Sequence, residues 1–409
     1  MGTAASATLN PPVGVAGRLA PRRAQGGVVA ATALLLLAGA LWLAPRYGAR
    51  HAALFLTGAG LGLVLYHAAF GFTAAFRVFV TRGDGRGIRA QMLMLAVATV
   101  LFAPMLSAGE ILGTSVGGAV APAGVSVLVG AFVFAVGMQL GGGCGSGTLF
   151  HLGAGATPMA LTLAAFIAGS VIATFHMPFW SAAPALGEIA LADRLGWPAA
   201  VGLQLAACAL IAAVTWTIER RRLGPRPAAP SPTGGWARVI HGPWPLAAGA
   251  VLLAGLNALT LVLAGHPWAI TWAFALWGAK ALQLLGVDLS TVPFWSGEFQ
   301  QDALAAPLLA DVTSVMDLGI VLGAALGAGL AGRFAPARRV RPRIAASSLL
   351  GGLLLGYGAR IAFGCNIGAY FSGIASTSLH GWLWGAAALL GTPVGVALRK
   401  RLTGKESYA

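Results

Sequence analysis

The chain has 409 residues, 57% of them hydrophobic and only 9% charged, with a mean hydropathy of +0.80. A soluble domain carries about 25% charged residues, so a water-soluble globular protein is excluded. The formal charge is +15, but the basic residues lie in loops between apolar runs, as topology determinants do, and no nucleic-acid partner is implied.

A helix needs roughly 20 apolar residues to cross a bilayer. Runs of that length predict spans at 27–45, 52–70, 89–107, 121–140, 157–177, 197–217, 243–264, 313–332, 343–362 and 378–398. The first run follows Arg18, Arg22 and Arg23 and is expected to be a span rather than a cleaved signal peptide. Shorter apolar stretches at 71–80 and 267–285 read as half-helices or re-entrant pieces. The expected fold is an all-α polytopic integral membrane protein that sits in a lipid bilayer.

Arginines orient the chain. Arg77, Arg82, Arg86 and Arg89 mark one cytoplasmic segment, and Arg220, Arg221, Arg222, Arg226 and Arg238 a second. Arg333, Arg338, Arg339, Arg341 and Arg343 mark a third, and Arg399, Lys400 and Arg401 the tail. Segments 108–120 and 286–312 hold acidic residues and no basic ones, and are expected outside. Arg46 and Arg50 run against this rule. The Pro- and Gly-rich basic stretch 219–242 reads as a cytoplasmic linker. It divides the chain into a cytoplasmic N-terminal segment 1–26, a first half 27–218, a second half 243–400 and a cytoplasmic tail 401–409.

Two glycine-rich loops each hold one cysteine: GGGCGSGTLF around Cys144 and AFGCNIGAYF around Cys365. With the cysteines superposed, Gly130, Gly137, Gly143, Gly147 and Phe150 meet Gly351, Gly358, Gly364, Gly368 and Phe371. The helices around Cys144 begin and end outside, and those around Cys365 begin and end inside. Equivalent units entering from opposite faces are the signature of an inverted repeat, with broken helices meeting at the membrane centre. A second correspondence sets FGFTAAF, 70–76, on WAITWAF, 268–274, with Thr73 on Thr271 and Phe76 on Phe274.

Non-helical backbone survives in a membrane only where protein or a water-filled cavity surrounds it. Broken helices present N–H groups and positive dipole ends, which favour an anion. Gly143, Gly145 and Gly364 therefore join Cys144 and Cys365 as candidate path residues. A thiol in apolar surroundings stays neutral and is a weak, polarizable donor. It meets an anion without trapping it, which suits a permeation path and a small sulfur-containing anion. Ser146, Thr148 and His151 follow the first thiol, and Asn366, Tyr370 and Ser372 the second. Lys280 and Arg360 lie in or beside apolar sequence, where ionisable residues are functional candidates. Asp317 stands within an apolar run and is the best candidate proton carrier, ahead of Glu110 and Asp311. Cys208, mid-span, reads as a small buried hydrophobe.

At these residues the chain resembles the YeeE/YedE sulfur-transport family, of bacterial thiosulfate-uptake membrane proteins. The matching pieces are FGFTAAFR, GGGCGSGTLFHLGAG, GHPWAITWAFALWGAK and GCNIGAYFSGIASTSLHGWLWG. The resemblance implies inner-membrane import of thiosulfate or a similar sulfur anion. The arginine placement puts both termini in the cytoplasm, and no enzymatic activity or cofactor is expected. Cys144 and Cys365 would be relay thiols. The internal correspondence adds Thr73 and Thr271 as candidate path residues, and Arg77, Lys280, Arg360 and His151 are the candidates for attracting the anion. The resemblance also implies a small cytoplasmic sulfur-carrier protein as acceptor. Family members typically read FCF where this chain has Phe70-Gly71-Phe72, so Gly71 stands in place of a third thiol. Two other readings remain at this stage: a membrane-embedded thiol redox or sulfur relay, opposed by the missing CxxC motif, and soft-metal transport through the thiols and His151.

Overall fold

The computed structural model describes residues 23–224, 235–337 and 339–404. Arg18, Arg22, Arg226 and Arg338, most of segment 1–26, the middle of the linker and the tail beyond 404 lie outside the described residues.

The chain is a bundle of helices, several broken inside the apolar layer. Helices α1 (Gly26–Tyr47), α2 (Ala49–His67), the half-helix α3 (Phe72–Arg82) and α4 (Arg86–Ala108) come first. Then follow α5 (Val125–Gly141), the short α6 (Gly145–Gly153), α7 (Pro158–Ser181), α8 (Leu191–Leu195) and α9 (Trp197–Leu223). The second part holds α10 (Gly235–His241), α11 (Leu246–Ala264), the half-helix α12 (Thr271–Leu284), α13 (Glu298–Ala305), α14 (Val312–Leu330) and α15 (Pro342–Ile361). A π-helical segment (Asn366–Phe371), α16 (Ser372–Ala375) and α17 (Leu379–Thr403) complete it. Among the described residues ten helices, counted across breaks, are long and apolar enough to cross a membrane.

These ten start within four residues of the predicted spans. Two run longer than expected: α9 continues to Leu223 and α17 to Thr403. Their charged ends stay helical because long basic side chains lie back along the helix, as Arg220 does 4.1 Å over the Trp216 ring. The linker is correspondingly shorter, and part of it is α10, whose His241 Nδ1 lies 2.6 Å from the Leu330 carbonyl. Two small ribbons interrupt the all-α pattern on the acidic face: β1 (Glu110–Ile111) with β2 (Thr114–Ser115), and β3 (Pro122–Gly124) with β4 (Ala185–Glu188). Arg50 sits on that face, donating to the Thr114 hydroxyl at 2.5 Å, and Arg46 stacks 4.3 Å over Trp42. Local partners thus hold the two arginines that defy the charge rule.

Glycine decides how closely the helices approach. Gly58 and Gly62 of α2 face Gly319 and Gly323 of α14 across a four-residue spacing on both sides. A Cβ added at Gly323 would lie 1.9 Å from the Ala59 carbonyl oxygen, and one at Gly319 2.3 Å from that of Phe55. In lipid no hydrophobic force drives helices together, so this backbone-to-backbone contact does the work. Helices α1 and α9 are peripheral, with Leu34, Leu37 and Leu41 on α1 and Leu203 and Leu210 on α9 exposed to the surrounding lipid.

The packing recurs in pairs. Helix α2 packs on α14 as α11 packs on α4, and α7 on α15 as α17 on α5. Half-helix α12 meets α7 as α3 meets α17, and α6 meets α14 as α16 meets α4. Helices α5 and α15 lie antiparallel against each other. Gly137 abuts Gly351, and Gly130 abuts Gly358, so the glycines aligned in sequence pair crosswise in space.

Overpacking a tight helix contact costs about 1–3 kcal/mol. Gly323→Val is therefore expected to lower the melting temperature of the detergent-purified protein by about 3 °C or more. Gly255→Val, where an added Cβ meets nothing within 4 Å, should leave it nearly unchanged. Equal shifts in the two variants would contradict the close packing of α2 on α14.

Candidate functional site

Both cysteine loops use the same backbone device. Helix α5 ends at Gly142 with φ +85°, and Cys144 then stands extended, φ −90° and ψ −165°, as the N-cap of α6. After α15, Phe363 takes φ +58° and Cys365 stands extended, φ −100° and ψ −164°, as the N-cap of the π-helical segment. Gly142 and Phe363 occupy matching positions. A left-handed phenylalanine carries backbone strain, which the surrounding packing holds in place.

The two thiols converge. Cys144 is 2% exposed and Cys365 fully buried. A Cβ added at Gly145 would lie 3.1 Å from the Cys365 sulfur and 3.4 Å from Ile270. The start of α6 therefore rests against the second thiol and the start of α12. Cys144 lies 3.5 Å from the Ser146 hydroxyl, and Thr73, at the start of α3, stands beside it. The Cys365 sulfur accepts a 3.4 Å bond from the Ile367 amide. Four helical N-termini meet around the thiols, those of α3, α6, α12 and the π-helical segment. The first-turn amides of a helix lack intrahelical acceptors, so the centre is rich in donors.

Two braces hold the half-helices. The Gln139 amide donates to the Thr73 carbonyl at 3.2 Å, and the Arg360 guanidinium donates to the Thr271 carbonyl at 2.8 Å. Gln139 and Arg360 each stand five residues before their cysteine. Sequence reasoning missed Gln139 because the two residue types differ; only the spacing from each cysteine could have found it. Arg360 also lies 5.3 Å over Phe294, and its Nε is buried without a hydrogen-bond partner.

Other predicted residues divide in two. Thr148 donates to the Cys144 carbonyl at 2.8 Å and braces the turn. Ser372 donates to the Trp268 carbonyl at 2.8 Å and accepts from Asn257 at 3.2 Å, tying the approach to α12 to the second loop. Lys280 points its ammonium at the carbonyls of Leu304, 2.9 Å, and Ala306, 2.6 Å, pinning the end of α13. Asn366 and Asp317 are fully buried, and all their side-chain oxygen and nitrogen atoms lack partners. The His151 ring lies tilted against Phe150, with ring centroids 4.0 Å apart, and near Arg77. Gly71 caps α3, and Cys208 packs into the core at 3% exposure. Among the described residues no three His, Cys, Asp or Glu side chains gather as a metal site would require.

A vestibule of about 410 Å³ opens on the acidic face. Glu188, Trp180 and Ser126 line it, and it reaches Phe363, Gly368 and His380 at the second loop. Gly368 faces open space, with nothing within 4 Å of an added Cβ. His380 Nδ1 lies 2.6 Å from the Ser378 hydroxyl. No sequence pattern announced this cavity, since its wall is assembled from four separate stretches of chain.

Residues 67–394 match the sulphur transport family. The probable transporter YedE of Escherichia coli strain K12 is 36% identical over 145 residues, 35% of each chain, and YedE of Salmonella typhimurium is 35% identical over the same length. These alignments span about a third of the YedE proteins' length. The thiosulfate transporter TsuA of Spirochaeta thermophila is 26% identical over 355 residues, covering 82% of this chain and 95% of that protein. TsuA of Escherichia coli is 25% identical over 352 residues, 82% and 91% of the two chains. With four-fifths of its length inside the matched region and both cysteine loops within it, the chain belongs to the sulphur transport family.

Proposed function

We propose that this protein is a permease, not an enzyme, that carries thiosulfate or a similar small sulfur anion inward along a central path. The observation that carries the reading is the meeting of two buried thiols with four helical N-termini. The donors there are weak and fixed. An anion is favoured by the helix ends and held loosely by the thiols, as passage requires. The two TsuA relatives, named as thiosulfate transporters, support this substrate class.

The crosswise Gly130–Gly358 and Gly137–Gly351 contacts, with the paired packing of equivalent helices, support an inverted repeat of halves 27–218 and 243–400. The arginine-rich face is read as cytoplasmic, in the inner membrane of a bacterium, with both termini on that side. The vestibule then faces outward and leads to Cys365 first, with Cys144 the later thiol. A small cytoplasmic sulfur carrier is the acceptor that the family resemblance implies.

In this reading Arg360 draws the anion toward the outer loop, at the position where the first half carries neutral Gln139. Uptake of labelled thiosulfate into vesicles is expected to be abolished by Cys144→Ala and by Cys365→Ala. Normal uptake in both would sink the thiol path. Arg360→Gln keeps a donor for the Thr271 carbonyl and removes the charge. It should raise the half-saturating thiosulfate concentration about tenfold, the equivalent of ~1.4 kcal/mol, with little change in maximal rate. Arg360→Lys should recover most of the loss. An unchanged half-saturation in Arg360→Gln would exclude Arg360 from anion attraction.

A further inference from the structure

Beyond the two thiols the chain holds a further polar position that no hydrogen bond explains. Gln91 of α4 is 1% exposed, and neither its amide nitrogen nor its amide oxygen has a partner. Burying an unpaired carboxamide is unfavourable, so a primary amide kept there calls for a ligand. It lines a small cavity of about 20 Å³, together with Ala69, Phe70, Gly71, Ala75 and Gly87. That space holds roughly one water molecule.

The cavity lies against the start of α3. The same turn carries Thr73, whose hydroxyl is buried without a conventional partner and stands beside the Cys144 thiol. Thr73 is roughly 14 Å along α3 from Arg82, and Gln91 roughly 8 Å along α4 from Arg86, at 1.5 Å per residue. Gln91 is thus the nearer of the two to the arginine-rich face. Asp84 also borders the cavity, but its carboxylate is bonded to Arg86 at 2.6 Å and does not confront an anion as a lone charge. Lateral room exists at Gly71, where an added Cβ meets only Ala74, at 3.5 Å. Its φ of −103° suits any residue.

We infer that the Gln91 carboxamide, with the Thr73 hydroxyl, forms an inner subsite for the transported small anion, between Cys144 and the arginine-rich face. The Gln91 N–H₂ supplies the hydrogen bond that receives the anion as it leaves the thiol. In the state described here the subsite is closed down to the size of a water and widens as the anion arrives. The inference rests on the transport reading above and adds a third station to it.

The test uses the full-length protein in liposomes under reducing conditions, with thiosulfate uptake and thermal melting read on each variant. Gln91→Leu keeps the volume and removes the donor. It should cut the initial rate about tenfold while leaving the melting temperature equal or higher, since an unpaired buried amide is gone. Gly71→Cys places a thiol donor at the same cavity and should return most of the rate in the Gln91→Leu background. A merely structural Gln91 has no reason to be rescued this way. Two results overturn the subsite: Gln91→Leu transporting within about twofold of the parent, or a stably folded double variant with no recovery. If the parent itself takes up no thiosulfate, the transport reading fails first and the subsite with it.

Discussion

A peptide chain that leaves the helix inside an apolar slab has to find shelter and hydrogen bonds within the protein. Here the chain does so at Gly71, at Cys144, ahead of Thr271 and at Cys365, and the rest of the bundle answers that need. The contacts of α2 with α14 and of α5 with α15 are close because glycine faces backbone. That closeness seals the loops from lipid. Side chains then brace the carbonyls around the breaks: Gln139 on Thr73, Arg360 on Thr271, Ser372 on Trp268, Thr148 on Cys144. Much of the polar inventory near the site is therefore structural, and the few atoms left unpaired stand out against it.

The spans were legible because the length of an apolar run is a direct physical requirement of the bilayer. Helix ends were less so, since α9 and α17 continue past the apolar run on basic side chains that lie back along them. The cysteine loops were legible from glycine spacing, and Thr73 and Thr271 from their places ahead of them; each does open a half-helix. What stayed hidden was every role set by a partner remote in sequence. Lys280 offers the same letter whether it faces an anion or the carbonyls of Leu304 and Ala306. Ser372 and Asn366 look alike as polar neighbours of a thiol, yet one is fully bonded and the other bonded to nothing. Gln91 and Gln139 drew no notice, because a lone glutamine in an apolar run has no motif to announce it.

The matched positions also show how two similar loop frames tolerate unlike residues. Gln139 and Arg360 perform the same mechanical task on a threonine carbonyl, and differ by one full charge. The frame asks only for a donor of sufficient reach; what else that side chain contributes is left open. Charge, size and polarity can therefore differ between the two cysteine loops while the backbone around them stays the same.

The turn before each thiol carries this freedom furthest. Gly142 and Phe363 adopt the same left-handed conformation, one with no side chain to oppose it and the other against the grain of its Cβ. Both turns have glycine at 143/364 and 147/368, but Gly142 and Gly145 of the first are opposite Phe363 and Asn366 of the second, and Ser146 is opposite Ile367. The two turns therefore differ in stiffness. Gly145 rests on the Cys365 sulfur, so the glycine-rich turn is packed directly against the bulkier one. The same backbone shape is thus met once by a residue that favours it and once by a residue that resists it.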